Sequence, residues 1–141
     1  MCIKNDDFCI KNDDFVGITH VVCMAAECQN SFEGALSYFR PPGPDLWDGV
    51  GADITPAILP ALAFIDAARA SDTGTRVLVH CVEGVSRSAS VVIALIARDK
   101  KLSVEDALKF VQEKRPVANP NPAFLEQLRV LQPVLHDAVV D

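Results

Sequence analysis

The chain predicts an α/β fold with a mostly parallel central sheet flanked by helices, and three observations carry that expectation. The run Val77-Leu78-Val79 is unbroken and apolar, as strands buried on both faces of a helix-covered sheet are. A loop over 81–87 separates it from a helical run, Ala89 to Arg98, giving a strand–loop–helix unit. The chain has 141 residues, half of them hydrophobic and 23% charged, enough for one domain with a real core.

Taken in order, the elements begin with a tandem repeat. Cys2-Ile3-Lys4-Asn5-Asp6-Asp7-Phe8 recurs unchanged as Cys9 to Phe15. Seven residues are too few for a solenoid unit, so the duplication reads as a scar of cloning or gene assembly. Residues 1–15 are therefore expected outside the core, with the domain proper spanning 16–141. Ile18 to Met24 is β-branched and apolar and reads as a buried strand, and Leu36 to Arg40 as a shorter one. Pro41-Pro42-Gly43-Pro44-Asp45 breaks the chain into a Gly- and Asp-rich loop that runs to Asp53. Ile54, Ile58, Ala61, Leu62, Ile65 and Ala68 then recur at helical spacing. Asp53 or Thr55 is the candidate cap. Pro60 implies either a kink or a later start, since an interior proline removes a hydrogen bond. Ser103-Val104-Glu105-Asp106 has the form of a capping box opening a helix to about Lys114. Pro116 stops it, Asn119-Pro120-Asn121-Pro122 turns the chain, and a last helix runs from Ala123 to about Leu135.

The chemistry concentrates in His80-Cys81-Val82-Glu83-Gly84-Val85-Ser86-Arg87-Ser88. A strand delivering a thiol into a tight loop that opens a helix aims loop amides, a helix N-terminus and a guanidinium at one spot. That is an anion cradle with a nucleophile at its base. A cysteine in such a place can have its pKa lowered to about 3.5–7.5. Arg87 offers a planar fork for two phosphate oxygens, which lysine lacks. Gly84 permits the backbone curvature that turns amides inward. Ser88 can donate to the sulfur and ease its departure. Val82, Glu83, Gly84, Val85 and Ser86 line the cradle, and His80 can orient the loop from beneath. Asn121 is either a brace for this loop or a turn residue.

At these residues the chain resembles the cysteine-dependent protein tyrosine phosphatase superfamily, and the Ser-Arg-Ser ending makes it most similar to the dual-specificity branch. Gly17 to Val22, Phe64-Ile65-Asp66, Val77 to Cys81 and Asn121 to Leu128 resemble further segments of that branch, in the right order. The resemblance covers roughly 16–135 and implies the protein tyrosine phosphatase-like fold. It implies hydrolysis of phosphotyrosine and phosphoserine/threonine through a phosphocysteine, with an aspartic acid to protonate the leaving oxygen. The family places that acid about thirty residues before the cysteine. Asp48 lies 33 residues before Cys81 and is preferred; Asp45 is the alternative, and Asp53 reads as a helix cap or a solvent-facing residue. The family usually opens with a further strand or hairpin where the duplication lies, so a sheet edge is expected to be missing or replaced. No docking domain precedes the catalytic part, which suggests the small, atypical type.

Other classes fit less well. Net charge of −6 and a pI near 4.9 speak against a nucleic-acid surface. No apolar run reaches the roughly 18 residues a membrane span needs, so no membrane insertion is expected. Five cysteines without a framework suit a reducing compartment, and the expected location is cytoplasmic or nuclear. His20, Cys23 and Cys28 lack a completing pair for zinc, so no metal or cofactor is expected. Cys28 is a candidate redox partner of Cys81. Glu83 beside the cradle should repel extra phosphates, which ranks phosphoinositides and RNA 5′-triphosphates below phosphoproteins. A noncatalytic phosphoprotein-binding module is the alternative of another class. The oligomeric state is not legible.

Overall fold

The computed structural model describes residues 1–4, 7–9, 17–43, 45–71 and 74–138. The strands are β1 (Cys2–Lys4), β2 (Asp7–Cys9), β3 (His20–Cys23), β4 (Ser37–Phe39) and β5 (Arg76–His80). The helices are α1 (Thr55–Ser71), α2 (Arg87–Lys100), α3 (Val104–Lys114) and α4 (Pro122–Asp137). The sheet order is β2-β1-β5-β3-β4. β5, β3 and β4 pair in parallel, and β1 runs antiparallel to both its neighbours, so it alone opposes the other four. The α/β class expected from the sequence is the class observed.

The expectation that residues 1–15 lie outside the core is corrected for the first copy of the heptapeptide. β1 lies along β5 with Ile3 opposite Val77, and the Val79 N–H donates to the Met1 carbonyl at 2.7 Å. Met1, Cys2 and Ile3 are buried, Ile3 at 1% exposure. The physical reason is that β5 would otherwise present an unpaired ladder edge, and an apolar tripeptide both satisfies it and covers the core. β2 adds to β1 in the antiparallel sense, so the repeat supplies the edge hairpin. The remainder of the second copy, 10–15, lies outside the described residues.

α2 is the central helix. Every residue from Arg87 to Arg98 is buried, as expected of a helix without a polar face. It packs against α1, α3, α4 and β5. Arg98, 5% exposed, is held by both carboxylate oxygens of Asp66 on α1 at 2.7 Å each, and by Asp99. α1 starts at Thr55 and continues through Pro60, so the later-start alternative does not hold. Pro60 and Pro56, whose carbonyl loses its partner, are both exposed, and water can take up the loss. Asp53, exposed and two residues ahead of α1, accepts the Thr55 N–H at 2.9 Å. Ser103 accepts from the Asp106 N–H at 3.1 Å, half of the expected capping box.

α4 begins one residue earlier than its sequence pattern suggests, with Pro122 in the first turn and Asn121 as N-cap. It anchors the loop that precedes α1. Gln127 accepts from the Ile54 N–H at 2.8 Å and donates to the Ala52 carbonyl at 3.0 Å. The parallel strands β3 and β5 end side by side, and the loops leaving their carboxyl ends enclose the cradle.

Candidate active site

Cys81 follows the last residue of β5, and its loop closes onto α2. Gly84 adopts φ +67°, and a Cβ there would stand 2.8 Å from Arg115. The positive φ favours glycine, and a Cβ would also displace the Arg115 guanidinium. Arg115, which sequence reasoning did not single out, donates from Nε to the Gly84 carbonyl at 2.9 Å and from Nη2 to the Glu83 carbonyl at 3.0 Å. By holding these carbonyls outward it favours inward amides, the polarity an anion needs. Ser86 is the N-cap of α2, yet its side chain does not fold back on the helix, so no side-chain cap occupies the first amides.

The Cys81 side chain is nearly buried at the base, with Sγ 3.2 Å from the Ser88 hydroxyl. Burial pushes the thiol up; the Ser88 hydroxyl and amide, the Gly84 amide and the Arg87 charge outweigh it, and its pKa is lowered. Beneath it, His80 Nδ1 lies 3.2 Å from the Cys81 carbonyl. His80 donates a hydrogen bond to the sulfur of Cys23 on β3, directly opposite in the register, which raises the His80 pKa against the effect of burial. Cys23 is also contacted by Arg40 Nη1 at 3.4 Å, so its sulfur is committed to structure.

Arg87, 5% exposed, is oriented by a residue the sequence reading missed. Its Nη1 donates to Glu27 at 2.6 Å and to the Leu46 carbonyl at 3.0 Å, and Nη2 donates to Glu27 at 3.2 Å. The hydrogen bonds from Arg87 hold the Glu27 carboxyl below the usual range. A guanidinium has five N–H donors, so this arrangement leaves Nε–H and one Nη2–H, a complete edge of the fork, for an incoming anion. The signal for Glu27 was position: it follows β3, whose carboxyl end adjoins that of β5.

The cavity over Cys81 has a volume of about 300 Å³ and is lined by Cys81, Arg87, Asp48, Glu27, Trp47 and loop residues Val82, Glu83, Val85 and Ser86. The two candidate acids separate cleanly. Asp48 is in this cavity, where Ser86 Oγ and Asn121 Nδ2 each donate to its Oδ1 at 2.7 Å. Asp45 lines a neighbouring depression beneath the proline turn and does not reach the cavity. The Asn121 side chain caps α4, accepting from the Phe124 N–H at 2.9 Å, and reaches Asp48, while its backbone N–H donates to Ser86 Oγ of the cradle at 2.9 Å. Among the described residues no group of three or more His, Cys, Asp or Glu side chains is arranged to hold a metal ion, and no helix is long and apolar enough to cross a membrane.

A family model described as the catalytic domain of dual specificity phosphatases matches residues 5–133. Human protein phosphatase Slingshot homolog 3 is 44% identical over 118 residues, covering 84% of this chain and 17% of that protein. Mouse dual specificity protein phosphatase 1 is 37% identical over 113 residues, covering 80% of this chain and 29% of that protein. The chain thus spans less than a third of the length of these relatives. Among solved structures, the human tyrosine phosphatase-like serine/threonine/tyrosine-interacting protein superposes with a TM-score of 0.75 at 32% identity, over 84% of this chain and 78% of that one. Human DUSP28 does so with a TM-score of 0.72 at 32% identity, over 84% of this chain and 77% of that one.

Proposed function

Because the chain belongs to the dual specificity phosphatase catalytic domain family, we propose that it is a protein phosphatase acting on phosphotyrosine and phosphoserine/threonine with its own complete machinery. The observation that carries this reading is the convergence of a pKa-lowered Cys81, a clamped Arg87 and Asp48 in one cavity. The free edge of Arg87, the loop amides and the N-terminus of α2 bind the phosphate dianion and bring its phosphorus over Cys81 Sγ. The thiolate attacks, an S–P bond forms, and the bond to the leaving oxygen breaks as Asp48 gives that oxygen its proton. Water then attacks the phosphocysteine while Asp48 takes a proton from it, and sulfur departs as thiolate stabilised by Ser88.

Several features favour phosphorylated side chains over polyphosphorylated ligands. Glu83 is exposed on the rim and Glu27 stands beside Arg87, so additional phosphates meet carboxylates. The walls beside the thiol are Val82 and Val85, which suit an aromatic or aliphatic stem. The reading includes a reducing compartment, cytoplasmic or nuclear, since Cys23, Cys28 and Cys81 carry thiols among the described residues and the nucleophile works only as thiolate.

The test is hydrolysis of phosphotyrosine and phosphothreonine peptides, with a soluble phosphoinositide for comparison. Turnover of the peptides, lost in Cys81→Ser, is expected. Phosphoinositide turnover faster than peptide turnover would replace the substrate class. Tight phosphopeptide binding without turnover would favour a noncatalytic module.

A further inference from the structure

We propose that Ser86 and Asn121 act together as positioning residues for the general acid, fixing Oδ2 of Asp48 as the oxygen that carries the transferable proton. The inference rests on the reading of Asp48 as that acid. Donors and acceptors are matched one to one in a small network that joins three segments: the loop before α1, the cradle, and the N-terminus of α4.

The hydroxyl of Ser86 has one proton. It accepts from the Asn121 backbone N–H at 2.9 Å, so its own proton is directed to Asp48 Oδ1, 2.7 Å away. The side-chain amide of Asn121 is equally constrained. Its Oδ1 caps α4 by accepting from the Phe124 N–H, so its Nδ2 must be the end that faces Asp48, again at 2.7 Å from Oδ1. One oxygen of the carboxyl therefore receives two donors and has no geometry left for a proton of its own. A protonated Asp48 in this arrangement carries its hydrogen on Oδ2. That fixes the direction of proton delivery, and catalysis by a general acid depends on such alignment.

The arrangement also explains why Ser86 leaves α2 without a side-chain cap, although serine is a favoured capping residue. Its hydroxyl serves the acid instead. The same contacts tie the Asp48 loop to the cradle, so the acid is held where the phosphate binds before a ligand arrives.

The experiment compares kcat/KM for phenyl phosphate, whose leaving oxygen needs a proton, with that for 4-nitrophenyl phosphate, whose leaving oxygen hardly does. Asn121→Ser keeps a capping oxygen for α4 while removing the Nδ2 donor, and Ser86→Ala removes the hydroxyl. Each is measured alone and in an Asp48→Ala background. Asp48→Ala is expected to lose about 10²–10⁴-fold on phenyl phosphate and far less on the nitrophenyl ester. Ser86→Ala and Asn121→Ser should each lose about 10-fold or more on phenyl phosphate beyond whatever they lose on the nitrophenyl ester, and that excess should vanish once Asp48 is alanine. Equal losses on both substrates, or an excess on phenyl phosphate that persists in Asp48→Ala, would mean a role apart from the acid and overturn the proposal. Selective loss in Asp48→Ala alone would remove the positioning role and leave the acid in place. No selective loss in Asp48→Ala would remove both.

Discussion

At Cys81, burial and hydrogen bonding act in opposite directions on the thiol, and the balance determines whether the chain has a nucleophile at all. Burial disfavours the thiolate, while the Ser88 hydroxyl, the amides of Ser88 and Gly84, and Arg87 favour it more. With the pKa lowered, the thiolate persists below the pH at which an ordinary thiol protonates and is lost only as pH falls through the depressed value. Alkylation of Cys81 by iodoacetate, followed across pH, should therefore show its midpoint below that of a free thiol, and Ser88→Ala should move the midpoint upward. An unmoved midpoint would mean that Ser88 does not tune the sulfur. At this scale the sequence was most informative where the functional residues are contiguous. The cradle from His80 to Ser88 is one strand–loop–helix unit, and its roles follow from short-range geometry. Glu27 and Arg115 were not legible because they reach Arg87 and the loop carbonyls from 60 and 31 residues away, with no local motif to mark them. Asp48 was found by spacing alone; the contacts that distinguish it from Asp45 are tertiary.

Among the elements, the helices were the more legible. Ser103 and the apolar stripe of α1 announced helices close to those observed, because capping and 3.6-residue periodicity are local physics. The strands proved shorter than their apolar runs: β3 takes four residues of the run Ile18 to Met24. Backbone pairing with β4 and β5, not hydrophobicity, sets those limits. Pro60→Ala should restore a helical hydrogen bond on an exposed face of α1 and stabilise the protein by about 1–2 kcal/mol, less than the full cost of proline because the unfolded chain regains freedom. Asp66→Ala should destabilise by about 1–2 kcal/mol, since Arg98 loses two hydrogen bonds while buried yet keeps Asp99. Urea unfolding of both variants checks the signs, and a stable Asp66→Ala would show that Asp99 suffices.

For the whole molecule, the sheet edge was the least legible feature. A seven-residue repeat looks like an appendage because its pattern carries no fold of its own, but strand pairing needs only an open edge and a short extended segment. Ile3 then becomes a core residue by its contact with a strand more than seventy positions away. Ile3→Ala should destabilise the domain by about 2–4 kcal/mol, as for a fully buried aliphatic side chain. A change of only a few tenths, measured by denaturant unfolding, would return this segment to the outside of the fold. The packed sheet and the buried α2 hold the loop–helix junction rigid, so the cradle sits on the stable part of the molecule while the acid arrives on a loop pinned by Gln127 and Asn121. The most direct test of the chemistry is to acid-quench the enzyme during turnover of 4-nitrophenyl phosphate and locate the phosphoryl group by peptide mass mapping. A phosphoryl group on Cys81, absent from Cys81→Ser together with all turnover, is the predicted result; turnover that survives in Cys81→Ser, or a phosphoryl group on any other residue, would contradict it.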